Sequence, residues 1–402
     1  MAVVGIGAKA PWWRRLRARM TGFWYFTLAV AIVSLGLSGI GSWALGPGGY
    51  CIDEYLPGHA AFELPPYVQQ MTSTSVHIRW HTDIPTDGTL FWGETQALGK
   101  VANGGVGGWH DATLTGLKAE STYYYRIGSG AVVTLQSFRT FPEASGTITF
   151  GVIGDSGVNN DAQTTMANVL AAQEPALVLH TGDVVYPRGA DCFYQSRFFI
   201  PYQNMLGAVP FYPTLGKHDL LSERGAPYFQ AFDLPANNPE HSERFYSFDA
   251  GPIHFVSLDS ELYHGDGNVT AAQQKAWLIQ DLQQTKQPWK VVFLHRLLYS
   301  DGSSGGDAAI RADLAPIFAR YGVQVVFSGG DHDYERFKPI DGVTYVVTGG
   351  GGAALSKVNP GPQTAYAASA YNIVKVNASP TQLTVEAVGA NGKVFDRATL
   401  SQ

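Results

Sequence analysis

The chain has 402 residues, enough for two domains with sizeable cores, and carries a formal net charge of −6. A mildly acidic chain with no basic stretch outside its N-terminus is not built as a general nucleic-acid binder. Its 46 glycines and 22 prolines favour strands and turns over helical bundles.

The N-terminal segment, residues 1–22, is basic, with Lys9, Arg14, Arg15, Arg17 and Arg19. Residues 23–45 follow as an uncharged run that opens on Phe23-Trp24-Tyr25-Phe26 and is long enough to cross a bilayer. The cationic flank is expected to stay in the cytoplasm, with Trp24, Tyr25 and Trp43 at the interfaces. Two readings stand: an uncleaved single-pass signal anchor, or a signal peptide cut near Ser42-Trp43-Ala44. Either places the main domains outside the cytoplasm. Residues 46–62 form a Gly/Pro-containing linker. The two cysteines, Cys51 and Cys192, both fall on the exported side, where a disulfide and two free thiols are the alternatives.

Residues 63–142 read as an all-β domain. Val76-His77-Ile78-Arg79-Trp80 alternates at period two, and Thr89–Gly93, Thr122–Ile127 and Leu135–Phe141 are further short strands between turn residues. This pattern predicts an antiparallel sandwich of fibronectin type III kind, with Trp80 and Tyr124 as core and face residues. From residue 147 to 402 the pattern alternates apolar strands with helices over Asp161–Gln173, Thr270–Gln284 and Asp307–Tyr321, and with a helical or irregular region over Phe198–Leu206. An α/β domain follows, with its site at the strands' carboxyl ends. Asn268-Val269-Thr270 matches a glycosylation acceptor.

The strand ends carry the chemistry. Ile148–Ile153 runs into Asp155, Ala176–Leu179 into Asp183 and Tyr186, Val291–Leu294 into His295, and Val323–Phe327 into His332. His218 follows a glycine turn. Carboxylate, phenol and imidazole donors suit iron, zinc or manganese rather than copper–thiolate chemistry. A bridging aspartate can hold two ions about 3.5–4 Å apart, as in phosphoryl hydrolysis. Singly, each residue has a structural explanation as an Asx turn or a hydrogen-bonded imidazole, and His180 and His254 are read so. Together, at successive strand ends, they point to one metal centre.

Gly154-Asp155-Ser156-Gly157, Gly182-Asp183-Val184-Val185-Tyr186, Gly216-Lys217-His218-Asp219, Leu294-His295 and Gly329-Gly330-Asp331-His332-Asp333-Tyr334-Glu335-Arg336 resemble the ordered motifs of the calcineurin-like metallophosphoesterases. Tyr186 and the N-terminal sandwich make the chain similar to a purple acid phosphatase. The resemblance implies a two-sheet α/β (α+β) sandwich flanked by helices, and a phosphate ester as substrate. It makes Asp155, Tyr186 and His332 ligands of a first metal, commonly ferric iron, with Asp183 bridging and His295 on a second. Water activated by the metal is expected to attack phosphorus in line. At the second metal the family's asparagine is replaced by Lys217, one histidine by Gly330, and another by Ser304. Two protein ligands are too few for a tight site, so one metal is expected, with the Lys217 ammonium either paired to Asp183 or turned outward to solvent, and with His218, His295 and Lys217 around the phosphate. The readings left open are a weak, membrane-anchored phosphoesterase, an inactive surface module on the same fold, and a phosphate or metal sensor.

Overall fold

The computed structural model describes residues 62–128 and 135–402. The expected basic segment, membrane span and most of the linker lie outside them, as does Cys51. Among the described residues no helix is long and apolar enough to cross a membrane. Cys192, in the short helix Asp191–Tyr194, is disulfide-bonded.

The first domain is a seven-stranded antiparallel sandwich. One sheet pairs Phe62–Gln69, Ser75–Thr86 and Gly107–Thr115 in that order. The other runs Lys100–Asn103, Thr89–Gly93, Thr122–Ile127, Gln136–Arg139. Period-two alternation sets which side chains face in: Tyr123, Tyr125 and Ile127 are buried, while Tyr124 is half-buried between them. Trp80 is fully buried.

The second domain stacks two larger sheets. The six-stranded sheet has the order Phe211–Pro213, Leu177–His180, Ile148–Ile153, Asn372–Ala378, Gln382–Gly389, Val394–Ser401. The seven-stranded sheet has the order Tyr246–Ala250, Ile253–Leu258, Trp289–Leu294, Val325–Ser328, Thr344–Thr348, Tyr334–Phe337, Thr364–Ala368. The four strands Ile253–Leu258, Trp289–Leu294, Val325–Ser328 and Thr344–Thr348 run parallel to one another. Buried on both faces, they read as mostly apolar runs, as parallel strands do. Phe150 meets Phe255 and Phe327 edge-on across the interior, at centroid distances of 5.0 and 6.4 Å.

The helices start where capping residues stand. Thr270 closes a capping box with Gln273 before Ala271–Gln284, and the Asp307 carboxylate accepts from Ala309 N and Ile310 N before Ala308–Arg320. The helical region expected over 198–206 starts earlier and is continuous, as Asp191–Tyr194, a π-turn over Gln195–Phe199, and Ile200–Leu206.

The two domains share one core. A single buried apolar cluster runs from Trp80 and Phe138 through Phe198 and Tyr212 to Phe150 and Val374. Tyrosines complete the junction because a buried hydroxyl must find an acceptor. Tyr67 donates to Ala231 O and Tyr125 to Gly207 O, both at 2.8 Å, and Tyr212 donates back to Met71 O at 3.1 Å.

Candidate metal centre

Neighbouring parallel strands deliver the two central carboxylates. Ile148–Ile153 pairs with Leu177–His180, and just beyond their ends stand Asp155 and Asp183. Both aspartates have left-handed backbones, with φ of 54° and 50°. Such conformations are costly for residues other than glycine and concentrate at functional sites. His295 follows Trp289–Leu294 directly. His332 lies in the turn between Val325–Ser328 and Tyr334–Phe337.

These residues converge. The Tyr186 hydroxyl lies 3.0 Å from Asp155 Oδ1, 3.0 Å from Asp183 Oδ2 and 3.2 Å from His332 Nε2. His332 Nε2 is 3.5 Å from Asp155 Oδ1, and His295 Nε2 is 3.4 Å from Asp183 Oδ2. One donor atom from each of Asp155, Asp183 and His295 fits within 4.8 Å of the others, and all three residues are buried.

Hydrogen positions follow from the backbone. His332 Nδ1 faces Ala354 O at 2.8 Å, His295 Nδ1 faces Thr181 O at 3.0 Å, and His218 Nδ1 faces Pro187 O at 2.5 Å. A carbonyl only accepts, so each Nδ1 carries hydrogen and each Nε2 turns to the carboxylates. That is how protein backbones orient metal-ligating histidines. The Tyr186 hydroxyl has one hydrogen for two carboxylates, so the cluster concentrates negative charge. A cation at its centre satisfies that set, and the donors fit a metal.

The protonation balance agrees. Burial disfavours a charged His295 ring, but the Asp183 and Asp155 carboxylates outweigh burial and hold its pKa well above the ordinary value. His332 is pushed up to about 9, because the Asp155 carboxylate outweighs the same burial. Burial opposes ionisation of Asp183, yet His295 and His218 pull its pKa below the usual carboxylate range. Burial, then the Asp155 and Asp183 charges, drive the Tyr186 phenol well above its ordinary value.

The remaining expected members sort differently. His218 stands at the rim, its Nε2 3.9 Å from Asp183 Oδ2, while its backbone N–H donates to Asp183 Oδ1 at 2.7 Å. Lys217 is exposed. Of its two expected placements, it takes the outward one, and His218 and His295 are the bases that approach the Asp183 carboxylate. Gly330 has φ of 84°, and a Cβ there would come 3.1 Å from Leu297 Cδ1. Ser304 turns to Asp331 instead, its hydroxyl 2.6 Å from Asp331 Oδ2. His180, buried against the Ser156 hydroxyl at 2.9 Å, is driven down to about 3 by burial.

Two positioning features were not singled out in the sequence. The buried Asp219 carboxylate accepts from Val184 N, Val185 N and Gly216 N at 2.9, 3.2 and 3.0 Å, tying the Asp183 loop to the Lys217 loop. Its place beside His218 was the available signal. The second is the turn Gly349-Gly350-Gly351-Gly352-Ala353-Ala354. It bonds the Asp155 loop through Gly351 N to Gly154 O and Ala353 N to Asp155 O, both 3.0 Å, and supplies the Ala354 carbonyl to His332. A cavity of about 620 Å³ is lined by Leu220, Arg224, Phe229 and Arg244, and by none of the converging residues.

Residues 148–334 match the family described as calcineurin-like phosphoesterase. Over 289 residues the chain is 29% identical to purple acid phosphatase 23 of Arabidopsis thaliana, covering 60% of this chain and 62% of that one. It is 28% identical over 315 residues to a purple acid phosphatase of Glycine max, covering 70% and 66%. Among solved structures, purple acid phosphatase PPD1 of yellow lupin (Lupinus luteus) shares the fold with a TM-score of 0.73 at 21% identity, covering 84% of this chain and 74% of that chain. The chain spans about half to two-thirds of the length of the curated relatives it matches.

Proposed function

We propose that this chain, whose residues 148–334 belong to the calcineurin-like phosphoesterases and whose relatives are purple acid phosphatases, hydrolyses a phosphate ester at the Asp155–Asp183 centre. The observation that carries this reading is the Tyr186 hydroxyl held within 3.2 Å of Asp155, Asp183 and His332.

Asp155, Asp183, Tyr186 and His332 would hold the first metal, and Asp183 and His295 face the second position. Iron fits best, because a buried phenol flanked by two carboxylates ionises near neutral pH only against a strong Lewis acid. When bound, such a metal lowers the pKa of water and neutralises phosphate charge. The chain's own residues do the rest. His295 and His218 border Asp183, where their rings can hydrogen-bond phosphate oxygens. His218, half-buried at the rim, would face the leaving group through Nε2. Lys217 adds an exposed charge that draws an anionic ester toward the rim.

With Lys217 and Gly330 at second-metal positions, the centre is read as mononuclear and slow. Those two residues are also what favours the second reading, an inactive surface module on the same fold. Residues 23–45 would anchor the chain in a membrane, with the described domains outside the cytoplasm.

An aryl-phosphatase assay across acidic and neutral pH, with metal analysis of the same sample, separates the two readings. Turnover that falls at least ~100-fold in Asp183→Asn, together with loss of metal, is the expected result. Metal bound at full occupancy with no turnover on any phosphate ester would leave the binding module standing.

A further inference from the structure

One end of the N-terminal sandwich carries apolar side chains that its core leaves out. The strands Ser75–Thr86 and Gly107–Thr115 pair His81 with Trp109 and Thr86 with Gly107, so residues 82–85 stand opposite Gly108 alone. A bulge of that kind bends its strand and turns the extra residues outward. Ile84 is 55% exposed, and Pro85 is exposed beside it. Gly108 lets the strands close under the bulge, because a Cβ there would come 3.0 Å from Thr82 O. The adjoining turn is Gly104-Gly105-Val106-Gly107-Gly108, one apolar side chain among glycines. Val106 is 84% exposed. Trp109 follows, half-buried, with the His81 ring 4.6 Å away and the Arg79 guanidinium 5.0 Å over its face. Arg79 is itself held by Asp111 at 3.0 Å.

A single exposed aliphatic residue needs no explanation, but two on adjoining turns beside a tryptophan mark a surface that meets something. The path of the chain indicates what. Phe62 pairs with Thr82, so the chain enters the sandwich at this same end. The polar bonds that tie the sheet to the second domain lie at its other end. There Gln70 Nε2 donates to Asp233 Oδ1 at 2.8 Å, His77 Nδ1 lies 2.6 Å from Asp233 Oδ2, and Tyr212 donates to Met71 O at 3.1 Å. Residues 46–61 precede Phe62 and reach at most about 55 Å when fully extended. Before them comes the uncharged run 23–45, read as a membrane span.

A tether of that length keeps the sandwich at high effective concentration over a bilayer, so a few apolar contacts suffice to dock it. The side chains suit the depth they would reach. Ile84 and Val106 match the headgroup–acyl boundary, while the Trp109 ring and the Arg79 head belong among the headgroups. The turn's own backbone is provided for. Gly104 N donates to Gly88 O at 2.8 Å, Gly105 N to Asn103 Oδ1 at 2.8 Å, and Gly104 O accepts from Asp111 N at 3.0 Å. Shallow insertion therefore leaves these groups paired where water is scarce.

We propose that this end of the sandwich docks on the bilayer surface, with Ile84 and Val106 inserted. The proposal rests on the membrane reading of residues 23–45, and its test does not depend on hydrolysis. The full chain, reconstituted in vesicles of phosphatidylcholine and phosphatidylglycerol, carries an environment-sensitive dye at Val106→Cys or, in a second variant, at Ile84→Cys. Thr113→Cys is the reference, exposed on the same strand about 20 Å from the turn. The unsubstituted chain taken through the same labelling gives the background, flotation reports the chain in the vesicles, and melting curves matching the wild type show intact folds. Lipid-borne doxyl groups should quench the dye at least ~2-fold at positions 84 and 106 and leave it unchanged at 113. No quenching at 84 and 106 in a chain that floats would leave the anchor standing and overturn the docking. A blue shift that grows with protein density, without lipid quenching, would put a second copy on this surface and overturn it equally. A chain that does not float overturns both the anchor and the docking.

Discussion

At the residue scale, the centre depends on groups that position ligands as much as on ligands. Asp219 takes three backbone N–H groups from two loops. Asp219→Ala strands those buried donors, at a cost of about 1–3 kcal/mol, and frees the Asp183 loop. Lower melting temperature and lower kcat with little change in KM are expected; unchanged kcat would show that Asp219 does not position Asp183. His254 makes a separate pH prediction. It lies 2.7 Å from Asp249 Oδ1 and 2.8 Å from Asp281 Oδ2. Burial disfavours its charged form, but the two carboxylates prevail and raise its pKa to about 9. The folded value exceeds the unfolded one, so the stabilisation is complete below about pH 6.5 and is lost as pH rises through about 9. The melting-temperature gap between wild type and His254→Gln should therefore close between pH 6 and 10. A gap constant over that range would contradict the assignment.

At the scale of elements, much of the site was legible because apolar parallel strands end abruptly in polar residues. Asp155, Asp183, Tyr186, His295 and His332 all follow that rule, and the structure brings them together. What stayed hidden carries no such signature. The turn over 349–354 acts through backbone N–H and C=O groups, which every residue has. The strand Tyr334–Phe337 was masked by the charged Glu335 and Arg336, whose charges are absorbed by the loop at Ser300 and by Asp396. Whether Lys217 pairs with Asp183 or turns outward was left open by the motif, which does not report that a long side chain beside a 3-10 turn gains more by staying in water. The same turn geometry bears on rebuilding the second metal position. Gly330→His adds a left-handed strain of roughly 1–2 kcal/mol and a 3.1 Å approach to Leu297 Cδ1. Lys217→Asn with Gly330→His should thus melt lower than wild type, while binding a second metal and turning over faster. A loss of stability with no gain in metal content would show that Gly330 is not a vacated ligand position.

At the scale of the whole molecule, sandwich and second domain act as one body, because a single apolar cluster and three tyrosine hydroxyls join them. A single cooperative unfolding transition is expected for the described domains, and two separated transitions in calorimetry would contradict a shared core. Residues 23–45 predict that the full chain sediments with membranes and is released by detergent but not by high salt; release by salt alone would remove the anchor from the account. The central claim is that strand-end residues from across the second domain hold a metal against Tyr186. It is tested most directly by an anomalous-scattering map from crystals of the metal-loaded protein. One strong peak within bonding distance of Tyr186, Asp155, Asp183 and His332, with weak or no density between Asp183 and His295, is the expected result. A map with no peak beside the Tyr186 oxygen, or with two peaks of equal height, would contradict it.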